Sequence, residues 1–389
     1  MNHYNAAMTA TDNDIVHVTL DSQLPDALAL LASSEFLVID TEFLRERTYF
    51  AKLCLVQLAT EKSVVVVDVL ALTNIAPLLD FIYQPQRLKV FHSGRQDLEV
   101  LSQAFTTINP SATGVIPGPV FDTQIAAALT GLSAQIGYAD LVHRKLGVKL
   151  SKELTRTDWS KRPLSHEQIL YAADDVRYLV SLYHQMRKEL EQRGRLSWLE
   201  EECASMTDGE LYRTLPEDAW QRLKGTQQLE PEQRAALKSL AAWREARAIK
   251  KDKPRGWILS DESLRHLSES LPTSVEQLSQ IRDLAEGTVA RKGEELLQLI
   301  SESKALAANE SPANDFRPTP QQQSHTSRLM RKMRLIAEDN DIAPELLMPR
   351  RYIEQLVYFD KRKMLEQGWR YEVVGKPLLQ EWEKIQQGK

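Results

Sequence analysis

The sequence contains few cysteines and no long apolar segment. Its 389 residues include 2 cysteines, Cys54 and Cys203, too few for a disulfide framework or a four-thiolate zinc site. Such a chain fits a reducing cytoplasm, where buried thiols are usually small core residues. The most apolar stretch, residues 63–72, contains Asp68 and is far shorter than the roughly 20 residues of a membrane helix. Residues 1–16 lack the basic start and apolar stretch of a signal peptide. We therefore expect a cytoplasmic protein without a membrane partner.

Basic residues are slightly outnumbered by acidic ones. Lys and Arg total 49 and Asp and Glu total 54, so the net charge is −5. This charge excludes a global basic field that attracts nucleic acid, and any such binding must come from local patches. The 15 glycines and 17 prolines are too few for a collagenous or broadly disordered chain. At about 150 residues per domain, the length favours two or three soluble globular domains.

Short apolar runs in the first half predict a mixed α/β domain that ends near residue 195. The first three runs are close together, which favours an antiparallel meander, and the later two lead into helical patterns. Apolar side chains at three- and four-residue spacing predict a helix over residues 169–185. The predicted strands are residues 36–39, 52–58, 64–69, 89–92 and 119–122.

The second half of the chain lacks strand-like runs and is predicted to be helical. Pro231 is placed to begin a helix. Residues 303–324 are polar, contain three prolines and predict a flexible linker. We therefore predict two small all-α domains, residues 208–295 and 320–385, after the α/β domain of residues 15–195.

Two carboxylates follow the first predicted strand. Asp40 and Glu42 are two residues apart, so on a strand their side chains point the same way. Their repulsion and desolvation are costly unless a cation lies between them. Mg²⁺ and Mn²⁺ prefer such all-oxygen surroundings. Taken alone, however, an Asp-x-Glu after an apolar run is more often a solvated turn.

Further candidates lie near two predicted helices. Asp97 follows a strand and lies near the start of a helix, where it either favours the helix dipole or supplies a third carboxylate to the same sheet edge. Tyr171 and Asp175 are four residues apart on a helix and share a face. A phenol beside a metal-binding carboxylate can hold an attacking water in line. Asp174 can also reach that face, so spacing alone does not choose between Asp174 and Asp175.

Four segments of the first half carry a family resemblance. They closely resemble the exonuclease motifs of the DEDD superfamily in its tyrosine-bearing branch, and within it the ribonuclease D family. The Thr48-Tyr49 pair and Asp158-Trp159-Ser160 favour ribonuclease D over DNA-polymerase proofreading domains. The resemblance covers about residues 15–190. The segments are VIDTEFLRERTYFAKLCLVQLA, KVFHSGRQDLEVL, FDTQIAAAL and TDWSKRPLSHEQILYAADDVRYL.

The resemblance implies a ribonuclease-H-like sheet flanked by helices and assigns roles to individual residues. Tyr171 matches the water-orienting tyrosine, and the Tyr-x-x-x-Asp spacing of the motif selects Asp175 over Asp174. Asp174 departs from the family, in which the residue before the final acid is often small. Asp122 also recurs, and we interpret it as a structural residue that caps the following helix. The residues that match the four metal-site acids are Asp40, Glu42, Asp97 and Asp175.

The implied enzyme is a 3′→5′ exoribonuclease that releases nucleoside 5′-monophosphates with two divalent cations, Mg²⁺ or Mn²⁺, at its site. Its implied substrates are precursor tRNA and other small structured RNAs with unpaired 3′ ends. The family is usually monomeric. Two alternatives remain: a 3′→5′ DNA exonuclease of the same superfamily, and an RNA-binding protein whose catalytic site has decayed. The presence of all four acids and of Tyr171 argues against decay.

Residues 208–290 resemble the HRDC domain, a helical module that accompanies helicases and ribonuclease D. The Pro-Arg-Gly-Trp-Ile-Leu turn at residues 254–259 is the strongest part of the match. Residues 238–255 have a local charge of +5, and basic helices near aromatic residues suit phosphate contacts and base stacking. In the family, a second, degenerate module occupies the position of residues 320–385. The candidate nucleic-acid-binding residues are Lys250, Lys251, Lys253, Arg255, Arg331 and Lys332.

Overall fold

The computed structural model describes residues 15–151, 154, 157–307 and 316–387. The strands are β1 Ile15–Val18, β2 Phe36–Leu44, β3 Lys52–Ala59, β4 Val64–Asp68, β5 Leu88–Phe91 and β6 Val120–Asp122. The helices of the first half are α1 Leu24–Leu31, α2 Ala76–Ile82, α3 Arg95–Ile108, α4 Thr123–Ala128, α5 Tyr138–Leu146, α6 His166–Gln192 and α7 Leu196–Met206. The later helices are α8 Pro231–Lys251, α9 Arg255–Ile258, α10 Asp261–Ser270, α11 Val275–Ser279, α12 Glu286–Leu306, α13 Pro320–Asp339, α14 Pro344–Leu347, α15 Arg350–Phe359, α16 Gly368–Arg370 and α17 Lys376–Gln386.

The six strands form one mixed sheet in the order β1-β4-β3-β2-β5-β6. β3 and β4 pair in antiparallel fashion, whereas β1 with β4, β2 with β5, and β5 with β6 pair in parallel. All residues of β3 after Lys52 are buried, as is the whole of β4. Because successive strand residues point to opposite faces, both faces of the sheet are covered here.

Each predicted strand has a counterpart in the sheet, and the structure adds one that the sequence analysis missed. β1 joins the sheet beside β4 and not beside its sequence neighbour β2. Its four residues, IVHV, include a histidine and are too short to show a clear alternation. The antiparallel prediction holds for β3 and β4.

Helix ends differ from those predicted. α6 covers residues 166–192, beyond the predicted 169–185, because Ser165 caps its start through the Gln168 backbone N–H. Both ends of the predicted linker, residues 303–324, are helical: α12 continues to Leu306, and α13 begins at Pro320 with Thr319 as its cap. Residues 308–315 of that linker lie outside the described residues.

The segment before α6 is held against the sheet by Arg162. Its guanidinium donates to both carboxylate oxygens of Asp68, at 2.5 and 2.6 Å, and to the carbonyls of Cys54 and Trp159. Asp68 ends β4 and is buried. One arginine therefore connects β3, β4 and the segment leading into α6.

The chain groups into two compact units. The first contains residues 15–44, 53–212 and 318–387. Within it, the C-terminal helices contact α7: the rings of Trp198 and Trp369 stack with centroids 4.7 Å apart, and Arg370 forms an ion pair with Glu202.

The second unit contains residues 45–52, 213–307 and 316–317. Its described helices, α8 to α12, enclose an apolar core that includes Leu240, Leu264 and Leu296. In the described part of the whole chain, no helix combines the length and apolarity required to span a membrane.

We predict that Arg162→Ala destabilises the fold by about 3 kcal/mol, because it leaves Asp68 as an uncompensated buried charge. Urea unfolding of the two proteins measures the difference. Lys161→Ala is the matched control, since Lys161 is 81% exposed and lies 4.0 Å from Asp158. Equal unfolding midpoints for Arg162→Ala and Lys161→Ala would contradict the anchoring role.

Candidate active site

Three of the predicted acids converge at the end of β2. Asp40 and Glu42 project from this strand, and Asp175 comes from the third turn of α6. One carboxylate oxygen from each lies within 4.8 Å of the others. None of the three forms an ion pair with a lysine or arginine among the residues that the structure describes. The arrangement leaves three like charges in close proximity.

Asp97 lies beside this group of three acids and is held by β2, the strand that carries Asp40 and Glu42. The Thr41 backbone N–H and hydroxyl both donate to Asp97 Oδ1, at 3.1 and 2.6 Å. Asp97 is only 8% exposed and lies in the first turn of α3, where the helix dipole favours a negative charge. Asp97 is outside the group within 4.8 Å, so the structure places it as a neighbour of the three acids.

Burial raises the pKa values of all four acids, and neighbouring carboxylates raise them further. Burial, followed by Asp97, Asp175 and Glu42, raises the pKa of Asp40 well above its usual value. Burial, Asp175 and Asp97 raise the pKa of Glu42 to about 8. Burial raises the pKa of Asp97 to about 6, and burial and Asp174 raise that of Asp175 to about 7.

The loop between β5 and α3 is fixed by Asp122. Its carboxylate accepts hydrogen bonds from the backbone N–H groups of Ser93 and Gly94, as well as from Gln124 and Ile125 at the start of α4. The predicted capping role is thus confirmed and extends to the loop that leads to Asp97. His92 contacts Thr123 Oγ1 and the Ile136 carbonyl through its two ring nitrogens, which gives it a structural role.

The side chains of Asp174 and Asp175, which are adjacent on α6, have different surroundings. Asp175 faces the acid group, while Asp174 forms an ion pair with Arg177 at 3.3 Å. Tyr171 lies one turn before Asp175, and its ring is 6.2 Å from that of the buried Trp159. The structure therefore distinguishes the two aspartates that spacing alone left open.

Tyr138 is a neighbour of the site that sequence reasoning missed. Its hydroxyl donates to the Asp174 carbonyl at 2.7 Å, which connects the start of α5 to α6. Burial, Asp175 and Asp40 raise the pKa of Tyr138 well above its usual value. Only the Gly137-Tyr138 pair before a helix marks it in the sequence, and nothing in that pair indicates proximity to the acids.

The donor set fits hard divalent cations. Its ligands are carboxylate oxygens, which Mg²⁺ and Mn²⁺ prefer. Among the described residues, no lysine or arginine pairs with these three acids, so an external cation can balance their charge. Asp40, Glu42 and Asp175 can hold a cation directly.

The predicted nucleic-acid-binding residues differ in their surroundings. Lys250, Lys251 and Lys253 are exposed on the second unit. By contrast, Arg255 donates to both oxygens of Glu245. In the first unit, Arg331 is exposed and Lys332 lies 3.8 Å from Glu381.

Trp257 was not among the predicted binding residues, although the sequence analysis noted the turn that contains it. It is 62% exposed, and the Lys253 ammonium lies 5.7 Å from its ring centre. Trp243, in contrast, is half-buried and donates to Glu295. Exposure distinguishes these two tryptophans, and sequence spacing does not.

Comparison with protein families identifies two matching regions. Residues 15–191 match the family described as 3'-5' exonuclease. Residues 233–300 match the HRDC domain. The first region contains the entire acid group, and the second contains the exposed lysines and Trp257.

Individual relatives match most of the chain. It is 37% identical to Ribonuclease D of Acidiphilium cryptum, covering 90% of this chain and 88% of the relative. It is 36% identical to Ribonuclease D of Gluconacetobacter diazotrophicus, covering 94% and 92%. The crystal structure of Escherichia coli RNase D aligns with a TM-score of 0.80 at 30% identity, covering 94% of this chain and 98% of that one. The predicted fold class, a ribonuclease-H-like exonuclease domain followed by HRDC-type helices, is confirmed.

We predict that divalent cations stabilise the protein more at pH 8 than at about pH 5.5. The acids titrate near pH 4 when unfolded, but burial and neighbouring carboxylates raise the folded pKa of Glu42 to about 8 and that of Asp175 to about 7. The folded state therefore binds more protons across this interval, and the metal-free protein loses stability as pH rises. A bound cation offsets that loss once the acids are ionised.

Thermal melting with Mg²⁺ or with chelator at both pH values measures the effect. The double variant Asp40→Asn/Glu42→Gln serves as the control and should lose most of the cation-dependent shift. A shift of equal size at both pH values in the unmodified protein would count against a site built from these acids.

Proposed function

The chain belongs to the ribonuclease D family of 3′–5′ exoribonucleases, and on that premise we propose that it trims precursor tRNA and other small structured RNAs with unpaired 3′ ends. The reaction is hydrolysis of the terminal phosphodiester bond, which releases nucleoside 5′-monophosphates one at a time. The closeness of the Asp40, Glu42 and Asp175 carboxylates, within 4.8 Å, is the observation that carries the proposal. The E. coli relative is described as an exoribonuclease involved in structured RNA processing, which favours RNA with secondary structure.

We assign the four acids to binding a pair of divalent cations. Asp40, with neighbours on both sides, would contact both ions, Glu42 and Asp175 would complete one site, and Asp97 would contribute to the other. When bound, the two cations neutralise charge at the scissile phosphate, favour deprotonation of the attacking water and stabilise the leaving 3′ oxygen.

The remaining residues orient the reacting groups. Thr41 holds Asp97 through two hydrogen bonds to a single oxygen, which leaves the other carboxylate oxygen to point toward a ligand. Tyr171 shares a helix face with Asp175, and we propose that its hydroxyl holds the attacking water in line with the phosphodiester. Trp159 limits the movement of the Tyr171 ring. The Tyr138 hydroxyl donates to the Asp174 carbonyl and thereby helps to hold the α6 backbone next to Asp175.

We further propose that the HRDC region binds the RNA. Lys250, Lys251 and Lys253 are exposed, so their ammonium groups can contact phosphates. Trp257 presents its ring beside Lys253, an arrangement suited to base stacking. Arg331 and Lys332 are weaker candidates, because Lys332 already has Glu381 as a neighbour. We also propose that the enzyme acts as a cytoplasmic monomer.

We predict that Asp175→Asn lowers kcat about a thousandfold, because a lost metal ligand removes several kcal/mol of transition-state stabilisation. The matched control is Asp174→Asn on the same helix, whose carboxylate pairs with Arg177, and it should retain activity within about threefold. A 5′-labelled tRNA-like RNA with a short unpaired 3′ tail, incubated with Mg²⁺, Mn²⁺ or chelator, shows the length ladder.

The outcomes of this experiment separate the alternatives. Stepwise shortening that requires both metal and Asp175 supports the proposal. If the RNA stays intact while a matched DNA tail is shortened, the enzyme is a DNA exonuclease. If the RNA is bound but neither tail is shortened with any metal, the protein is a binding protein and the catalytic proposal is wrong.

For the HRDC region, we predict that Trp257→Ala raises the KM for tailed RNA about fivefold with little change in kcat, since base stacking contributes roughly 1–3 kcal/mol. The triple variant K250Q/K251Q/K253Q should also raise KM and should reduce the salt dependence of binding, because fewer counterions are released. Lys304→Gln, an exposed lysine of the same unit, is the control. Unchanged KM and salt dependence in both test variants would exclude this surface.

A further inference from the structure

His92 connects the end of β5 to the loop before α5. Its Nε2 lies 3.0 Å from the carbonyl oxygen of Ile136, and the side-chain amide of Gln124 donates to the same oxygen at 3.0 Å. Burial lowers the pKa of His92, so the ring is neutral at pH 7. Because a carbonyl oxygen only accepts, the ring hydrogen lies on Nε2 and is donated to Ile136. Side chains from two separate elements therefore hold this loop.

Tyr138 extends the restraint from this loop to α6. It is the first residue of α5, two residues after Ile136, and its ring centre lies 5.7 Å from that of His92. Its hydroxyl donates to the Asp174 carbonyl at 2.7 Å. That carbonyl belongs to the planar peptide group between Asp174 and Asp175, so the hydrogen bond restrains the backbone directly at Asp175.

His92 also begins the connection that leads to Asp97. β5 ends at Phe91, and Asp97 lies in the first turn of α3. Between them, Ser93 has a positive φ of 58°. No side chain fits at Gly94, whose Cβ would lie 2.4 Å from the Cβ of Phe91. This short and tightly packed connection leaves little freedom between His92 and Asp97.

We propose that His92 is a positioning residue that fixes the spacing of Asp97 and Asp175. It acts through the Ile136 carbonyl and the Tyr138 hydroxyl, which together connect the end of β5 to α6. The two acids belong to different helices, α3 and α6, so a restraint common to both is needed to keep them at a constant distance. The inference rests on the proposed function, since it concerns the same acids.

Two substitutions in the full-length protein test the donor to Ile136. The amide N–H of His92→Gln can reach the position of Nε2 and keeps this donor, whereas His92→Asn is one methylene shorter and loses it. We expect His92→Asn to lower kcat on tailed RNA about tenfold with KM unchanged within about twofold, because small displacements of catalytic groups slow the chemical step. His92→Gln should restore kcat to within about threefold of the unmodified protein. The matched control, His184→Asn, removes an α6 imidazole that pairs with Glu61 at 3.4 Å and should change neither.

Cation binding and hydrogen exchange supply readouts independent of turnover. The Kd for Mn²⁺, measured by calorimetry, should rise about fivefold in His92→Asn, because residues behind the ligands set the ligand geometry. It should stay within about twofold in His92→Gln and His184→Asn. Without metal, the amides of residues 136–140 should exchange about fivefold faster in His92→Asn than in the other proteins.

A folded His92→Asn with unchanged kcat and unchanged Mn²⁺ affinity would overturn the proposal, even if its urea midpoint falls. An equal loss in His92→Gln would also overturn it, as would a rise in KM alone, which indicates an RNA contact. If the unmodified protein binds Mn²⁺ but shortens no RNA, the proposed function fails, and Mn²⁺ affinity and hydrogen exchange still decide the role of His92. Should His92→Asn not fold, Tyr138→Phe, which removes only the hydroxyl bound to Asp174, decides by the same measurements.

Discussion

The structure depends on keeping four carboxylates close together against their own repulsion. Asp40, Glu42 and Asp175 have oxygens within 4.8 Å of one another, and their pKa values are raised because burial and like charges oppose ionisation. A strand end alone would relax and let these groups separate. The surrounding contacts prevent this: Thr41 binds Asp97, Tyr138 binds the α6 backbone, and Arg162 holds the segment before α6 to β3 and β4. These contacts keep the site assembled before any cation arrives.

Glu245, a buried carboxylate of α8, shows the opposite solution. Glu245 is balanced within the protein by Arg255 and Arg222, and its pKa is lowered despite burial. Among the residues that the structure describes, Glu42 pairs with no arginine or lysine, and its pKa is raised to about 8. Glu245 and Glu42 differ in whether an arginine of the protein pairs with the carboxylate, because burial alone raises the pKa of both. A balanced carboxylate stabilises the fold, whereas an unbalanced one retains its capacity to bind an external cation.

Sequence reasoning can propose site residues where their chemistry and spacing are local. The acids of β2 and the Tyr171–Asp175 pair follow from strand and helix periodicity combined with the family resemblance. It did not find interactions between residues that are far apart in the sequence. Arg255 was grouped with its basic neighbours, because the sequence does not show that Glu245 takes up its donors. Tyr138 carries no pattern that connects it to the acids, and β1 is too short to display one. In the same way, the local charge of +5 over residues 238–255 overstates the free charge, since Glu295 and Asp261 pair with Arg247 and Arg244.

Thr41 lies between Asp40 and Glu42 on β2 and binds the fourth acid, Asp97. Side chains alternate along β2, so Asp40 and Glu42 point to one side and Thr41 to the other. Asp97 meets Thr41 through both the backbone N–H and the hydroxyl, so it is held by the residue that lies between the two acids of β2. This explains why Asp97 influences the pKa values of Asp40 and Glu42 but lies outside their close group. Three acids therefore share one position that can hold a cation, and Thr41 holds the fourth acid beside that position without bringing it into the same group.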